Sequence, residues 1–188
     1  MEAGPHVTCG ALWCIMKVSL RKFTFEDLGA YENWRDEIDA RQYMSQFYPK
    51  AFNGKDTDNP TLYVWYVIVV NRVDVGTIWL EKDHPTDNVV TLGILIGRQD
   101  KLGQGIGTKA IPLAIKQSQR ALAFKSVELN VRKTNVRAIA CYKHCGFTIV
   151  GDAQKVNKEE EKISFFKMSF PLSRPEPDFP AAVMCAPR

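Results

Sequence analysis

Apolar side chains recur at two periods along this chain, and the switches between them lay out its elements. Lys17 to Phe23 alternates, which predicts a strand. Thr24 can cap a helix starting at Phe25, with Asp27 three residues on as its capping partner. Between Tyr31 and Tyr48, the residues Tyr31, Trp34, Ile38, Tyr43 and Phe47 share roughly one helical face. Asn53 to Pro60 is polar and loop-like. Trp65 to Val70 and Val75 to Leu80 read as strands joined by a four-residue hairpin link, Asn71-Arg72-Val73-Asp74. Val89 to Ile96 is almost continuously apolar, the signature of a strand buried on both faces.

The second half repeats the mixture. A glycine-rich loop precedes a helix reaching Ala123, with Ile111, Ala114, Ile115, Ser118 and Leu122 on one side. Pro112 falls inside it, removes the hydrogen bond to Thr108, and predicts an irregular first turn. Ser126 to Val131 alternates, placing Val127, Leu129 and Val131 on one face. Asn135 can cap a helix that Gly146 terminates. Phe147 to Val150 and Ile163 to Phe170 predict closing strands around the charged turn Lys155 to Lys162. This order of strands and helices describes a mixed α/β (α+β) sheet. Residues 1–15 show no period and read as an extension that is disordered or non-native. Residues 173–188 form a Pro-rich tail, with Pro175, Pro177 and Pro180 unable to continue a sheet or helix. The working domain is 16–172.

Composition narrows the class. At 188 residues and 45% hydrophobic, the chain can build its own core. No apolar run approaches the roughly 20 residues of a membrane-spanning helix, so no membrane role is expected. Lys+Arg 25 against Asp+Glu 21 gives a mild +4, without the basic tract of a dedicated nucleic-acid binder. Five cysteines (Cys9, Cys14, Cys141, Cys145 and Cys185) show no paired C-x2-C spacing, so no metal site is expected. Reduced thiols fit a cytoplasmic protein.

The chemistry concentrates at Leu102-Gly103-Gln104-Gly105-Ile106-Gly107-Thr108, between the buried strand and the helix. Alternate glycines let main-chain N–H groups converge, and the helix start adds partial positive charge, so the loop suits a phosphate or pyrophosphate. A P-loop needs Gly-Lys-Ser/Thr, whereas Gly107 precedes Thr108-Lys109. A dinucleotide fold places its glycines at the strand end, yet Arg98 to Leu102 intervene. Some thirty residues later stands Asn135-Val136-Arg137-Ala138-Ile139-Ala140-Cys141-Tyr142-Lys143-His144-Cys145-Gly146-Phe147. Loop and second segment together resemble the acetyl-CoA site of the GNAT superfamily of N-acetyltransferases, whose patterns are Arg/Gln-x-x-Gly-x-Gly/Ala and Asn-x-Arg-Ala-x-x-x-Tyr-x-x-x-Gly-Phe. One departure is Leu102, where the family usually has Arg or Gln.

The resemblance implies a mostly antiparallel sheet of six to seven strands, flanked by helices, with its two central strands splayed apart. It implies acetyl-CoA as cofactor, with Leu102, Gly103, Gln104, Gly105, Ile106, Gly107 and Thr108 at the pyrophosphate. Leu95, Ile96 and Gly97 would lie along the pantetheine arm, with Asn135 and Ala138 touching the cofactor from their helix start. Tyr142 would face the sulfur; a phenol of pKa about 10 stays protonated at neutral pH and can donate to a leaving thiolate. Related enzymes often draw the amine's proton to an acid on the strand before the glycine loop. Thr91 stands there instead, which leaves Glu81 on the preceding strand as candidate base, with a solvated strand-end carboxylate as the alternative and Asp87 weaker.

Trp34, Glu37, Tyr43 and Tyr66 are candidate acceptor contacts, since aromatic walls and carboxylates suit a cationic amine. The acceptor is expected to be a small molecule amine such as an aminoglycoside, which would imply antibiotic resistance, or a polyamine. A peptide amine, as in the ribosomal-protein N-acetyltransferase branch, is the alternative. A third reading is a non-catalytic acetyl-CoA-binding regulatory module. The assembly would be a monomer or homodimer.

Overall fold

A computed structural model of the chain describes residues 16–57, 59–156 and 162–172. The expected N-terminal extension and C-terminal tail, most of the charged turn after Lys155, and Cys9, Cys14 and Cys185 lie outside the described residues.

Seven strands form one sheet: β1 (Val18–Lys22), β2 (Tyr63–Val70), β3 (Val73–Glu81), β4 (Val89–Ile96), β5 (Ser126–Arg132), β6 (Thr148–Val156) and β7 (Lys162–Pro171). Their spatial order is β1-β2-β3-β4-β5-β7-β6. Every neighbouring pair is antiparallel except β4 with β5, which is parallel. Three helices pack on it: α1 (Leu28–Glu37), α2 (Ile106–Ser118) and α3 (Val136–His144). The expected mixed, mostly antiparallel sheet with flanking helices is therefore the observed architecture.

Strand alternation sorts the core onto two faces. Val64, Tyr66, Ile68 and Val70 of β2 join Ile78, Leu80, Val90, Leu92, Val127, Leu129 and the buried side of α2. Tyr63, Trp65 and Val67 point the other way and join Trp79, Leu95, Phe23, Tyr31 and Trp34 beneath α1. There the Phe23 and Trp65 rings stack 3.6 Å apart at an interplanar angle of 4°.

Thr24 and Asp27 form the expected capping box, around a 3-10 turn, Phe25–Asp27, that leads into α1. Burial works against the Asp27 carboxylate, but bonds from the Arg21 guanidinium and from Thr24 outweigh it and hold its pKa below the usual value.

Four expectations are corrected. The helical pattern from Tyr31 to Tyr48 breaks at Glu37, because Asp39 adopts φ 45° and turns the chain out of the helix. Its aromatic residues reach the core from a loop instead: the Tyr31 hydroxyl donates to the Phe47 carbonyl, and Arg35 bonds the Tyr48 hydroxyl at 2.7 Å. The hairpin link is two residues rather than four, with Asn71 and Arg72 at φ 49° and 69°, the left-handed pair that a tight hairpin requires. β4 is not buried on both faces: Thr91, Gly93, Ile94 and Ile96 are only half-buried, because its far edge loses its neighbour. α2 runs unbroken through Pro112, and the Cys145 thiol lies 3.9 Å from the Thr108 carbonyl that the proline leaves without its helical donor.

Candidate active site

β4 and β5 pair only through Val89, Val90 and Thr91 with Ser126, Val127 and Glu128. Beyond Thr91 the strands part, producing the expected splay. Gly97 N–H donates to Val75 O at 2.9 Å, and a Cβ on Gly76 would meet Leu95 O at 2.0 Å, so both residues face β3. By strand alternation the main-chain groups of Leu92, Ile94 and Ile96 face the gap. The main-chain edge available to an extended ligand arm is thus that of Ile94 and Ile96; Leu95 also lines the cavity, whereas Gly97 does not. Gly97 has a packing reason instead: its missing Cβ makes room for Trp34, whose own Cβ would lie 2.1 Å away.

One cavity of about 940 Å³ passes through this gap. Its first end is the glycine loop, where Leu102, Gly103, Gly105, Ile106, Gly107 and Thr108 line the wall. Gly103 and Gly105 adopt φ 77° and 74°, which only glycine holds without strain. No side chain caps α2, so the N–H groups of its first turn stay open. Arg137 adds positive charge at the same end, beside Lys101, which pairs with Asp100 at 3.2 Å. Gln104 does not line the cavity; its amide bonds Asp100 O at 2.6 Å within the loop. Asn135 and Ala138 line the wall, with Asn135 Oδ1 capping α3 through Ala138 N at 3.1 Å. Open N–H groups, a free strand edge and two cations fit a diphosphate on an extended arm.

Cys141 and Tyr142 of α3 also line the cavity. Cys141 Sγ packs against Gly107, where a Cβ would come within 3.0 Å, and lies 3.8 Å from Thr108 Oγ1. The neighbouring Cys145 thiol and Thr108 hydroxyl draw the Cys141 pKa down to about 7 against the effect of burial. Burial, reinforced by these two thiols, raises the Tyr142 phenol well above its ordinary value. Tyr142 therefore stays protonated, and its hydroxyl has no hydrogen-bond partner among the described residues.

The second end is built around Glu81. It is not a solvated strand-end residue; only 2% of it is exposed. Its carboxylate accepts from Gln46 Nε2 at 2.6 Å, from the Lys50 main-chain N–H, and from Trp79 Nε1 at 3.4 Å. Sheet register places Glu81 directly opposite Thr91, so its side chain approaches the position where related enzymes carry their strand acid.

Of the four candidate acceptor residues, Tyr43 lines the cavity. Trp34 and Tyr66 are core residues on opposite faces of the sheet. Glu37 Oε1 accepts from Gln99 N at 2.9 Å, and so anchors the turn before the glycine loop. Gln46, Lys50 and Trp79 were not identified from the sequence. Trp79 shares a strand face with Glu81 two residues on, a readable signal, whereas Gln46 and Lys50 reach Glu81 through a loop with no local signature. Asp87, the weaker candidate base, lies outside the cavity. Among the described residues, no group of three or more His, Cys, Asp or Glu could hold a metal, and no helix is long and apolar enough to cross a membrane.

Residues 17–148 match the family described as acetyltransferase (GNAT) domain. The chain belongs to that family and is an acetyl-CoA-dependent N-acetyltransferase. Solved structures share the fold. The spermidine N-acetyltransferase from Vibrio cholerae in complex with CoA and spermine is 18% identical, at a TM-score of 0.67 over 83% of this chain and 96% of that one. The aminoglycoside acetyltransferase AAC(6′)-Ib in complex with coenzyme A and kanamycin is 19% identical, at a TM-score of 0.62 over 82% and 95%. A GNAT-family acetyltransferase from Streptococcus pneumoniae is 16% identical, at 0.63 over 83% and 99%. A comparison with curated protein sequences returns no match.

Proposed function

We propose that this protein transfers an acetyl group from acetyl-CoA to a primary amine of a small molecule, with Glu81 receiving the amine's proton and Tyr142 donating to the sulfur that leaves. The observation that carries this is a buried carboxylate sharing one cavity with an unpartnered tyrosine and an uncapped helix start.

The glycine-loop N–H groups, Lys101 and Arg137 would hold the diphosphate, and the Ile94 and Ile96 edge would align the arm. Bound there, acetyl-CoA supplies the reactive thioester. Glu81 does the work of binding and deprotonation. An alkylamine of pKa about 10.4 is less than about 0.1% neutral at pH 7, so a carboxylate that first attracts the ammonium and then accepts its proton removes a large part of the barrier. Tyr142 carries a proton it can share with the departing sulfur. The likeness to enzymes solved with spermine and kanamycin supports a small cationic amine as acceptor. A peptide N-terminus is the second reading, favoured by Glu81 being the single carboxylate on the cavity wall among the described residues, which matches a single ammonium.

Thiol release from acetyl-CoA across a panel of primary amines tests the proposal, alongside calorimetry with acetyl-CoA. Amine-dependent release is expected. Tight acetyl-CoA binding with no release for any amine would leave only a regulatory, non-catalytic module.

A further inference from the structure

The acceptor end of the cavity is chemically lopsided. Among the described residues, Glu81 is the only carboxylate that lines the cavity. Three neutral donors already occupy it, from Gln46, Lys50 N–H and Trp79. A carboxylate offers about four lone-pair sites, so one remains for an incoming ammonium. Lys50 Nζ is satisfied by Asp83 at 2.6 Å. A second ammonium on the acceptor would find no second carboxylate on the cavity wall among the described residues.

Beside Ser45, Gln46 and Lys50, much of the remaining wall is apolar. Ile38, Tyr43 and Met44 come from the segment after α1, Trp79 from β3 and Phe165 from β7. Tyr43 is 37% exposed, a large apolar ring left uncovered on the wall. Trp79 lies flat across β4, permitted by Gly93, where a Cβ would come within 2.1 Å of its ring. Aromatic and aliphatic walls around one buried charge recognise an apolar body carrying one polar group.

We infer that the acceptor is a monoamine with an apolar body, its ammonium on Glu81 and its body against Ile38, Tyr43, Met44, Trp79 and Phe165. This inference rests on the proposed role of Glu81 and names the substrate class that role serves. It runs against a polycation, because the described wall carries one carboxylate to neutralise one positive charge.

Steady-state thiol release by the full chain, with acetyl-CoA and phenethylamine, spermidine, kanamycin or a short peptide with a free N-terminus, tests it. The expected result is a kcat/KM for phenethylamine at least about tenfold above the other three, the scale on which an apolar pocket discriminates. Met44→Glu, which adds a second carboxylate to the same wall, shifts the ratio towards spermidine. Lys155→Glu, at an exposed strand position, makes the same test should Met44→Glu fail to fold. A wild-type preference for spermidine, kanamycin or the peptide, lost in Glu81→Gln, overturns the monoamine class and leaves the Glu81 reading standing. Phenethylamine turnover unaffected by Glu81→Gln, or no turnover with any amine, overturns both.

Discussion

Replacing Glu81 by glutamine probes the acceptor end most directly, because the change preserves shape while removing charge and one acceptor oxygen. The native carboxylate accepts from Gln46, Lys50 N–H and Trp79. A glutamine amide turns one of its two ends into a donor, so at least one of these groups loses its partner. Leaving a buried donor unsatisfied costs about 1–3 kcal/mol, and relief from burying a charge offsets part of that. A modest fall in the urea midpoint is expected, with the fold retained. The chemical effect is larger. Loss of a positioned base lowers turnover by about 10²- to 10⁴-fold.

That deficit carries a pH signature. A free alkylamine of pKa about 10.4 gains about tenfold in neutral fraction for each unit of pH, so raising the pH from 7 to 9 supplies about 100-fold more of the nucleophile without the enzyme's help. The gap between wild type and variant should narrow as the pH rises, in initial rates of thiol release with the acceptor held below KM. Acetyl-CoA affinity should not move. A variant with wild-type turnover at pH 7 and intact cofactor binding would refute the assignment of a base. A gap that stays constant with pH would show that Glu81 binds the ammonium without taking its proton.

Tyr142→Phe should lower kcat by about 10- to 100-fold while leaving acetyl-CoA affinity unchanged in calorimetry; equal loss of both would assign the ring to packing. Cys141, with its thiol at about 7, should be alkylated by iodoacetamide at a rate that rises through pH 7 as thiolate forms, and acetyl-CoA should slow the reaction. Site-resolved mass spectrometry reads this, and a rate rising only near pH 9 would mark an ordinary packed thiol. Gly93→Ala forces the Trp79 ring away from β4, which should cost about 1–3 kcal/mol by urea titration and reduce turnover through the shifted Trp79–Glu81 contact. Full stability with full activity would mean the indole has a second seat.

The two halves of the site were unequally legible in the sequence. The glycine loop, the Asn135 cap and Tyr142 lie within local segments whose spacing fixes their structure, so they could be located before any fold was known. The acceptor end depends on distant residues meeting. Glu81 looked like a strand terminus because nothing near it in sequence shows that Gln46 and Lys50 fold over it. The path of that covering loop was hidden as well. Its aromatic spacing mimics a helix, and the break comes from the left-handed backbone at Asp39, with no glycine or proline between Tyr31 and Tyr48 to announce it. Tyr66 was misassigned for a related reason. β2 is apolar on both sides, so no polar face distinguishes the wall under α1 from the one under α2.

The parting of β4 from β5 also bears on how the molecule holds together. Only three cross-strand rungs join the β1-to-β4 half of the sheet to the β5-to-β6 half. An arm laid along the vacant edge would act as a missing rung, stitching the halves through contacts the chain cannot make alone. Cofactor occupancy and mechanical integrity are thereby coupled, and the cofactor-loaded protein should melt at a higher temperature and exchange the Leu92, Ile94 and Ile96 amides more slowly than the empty one.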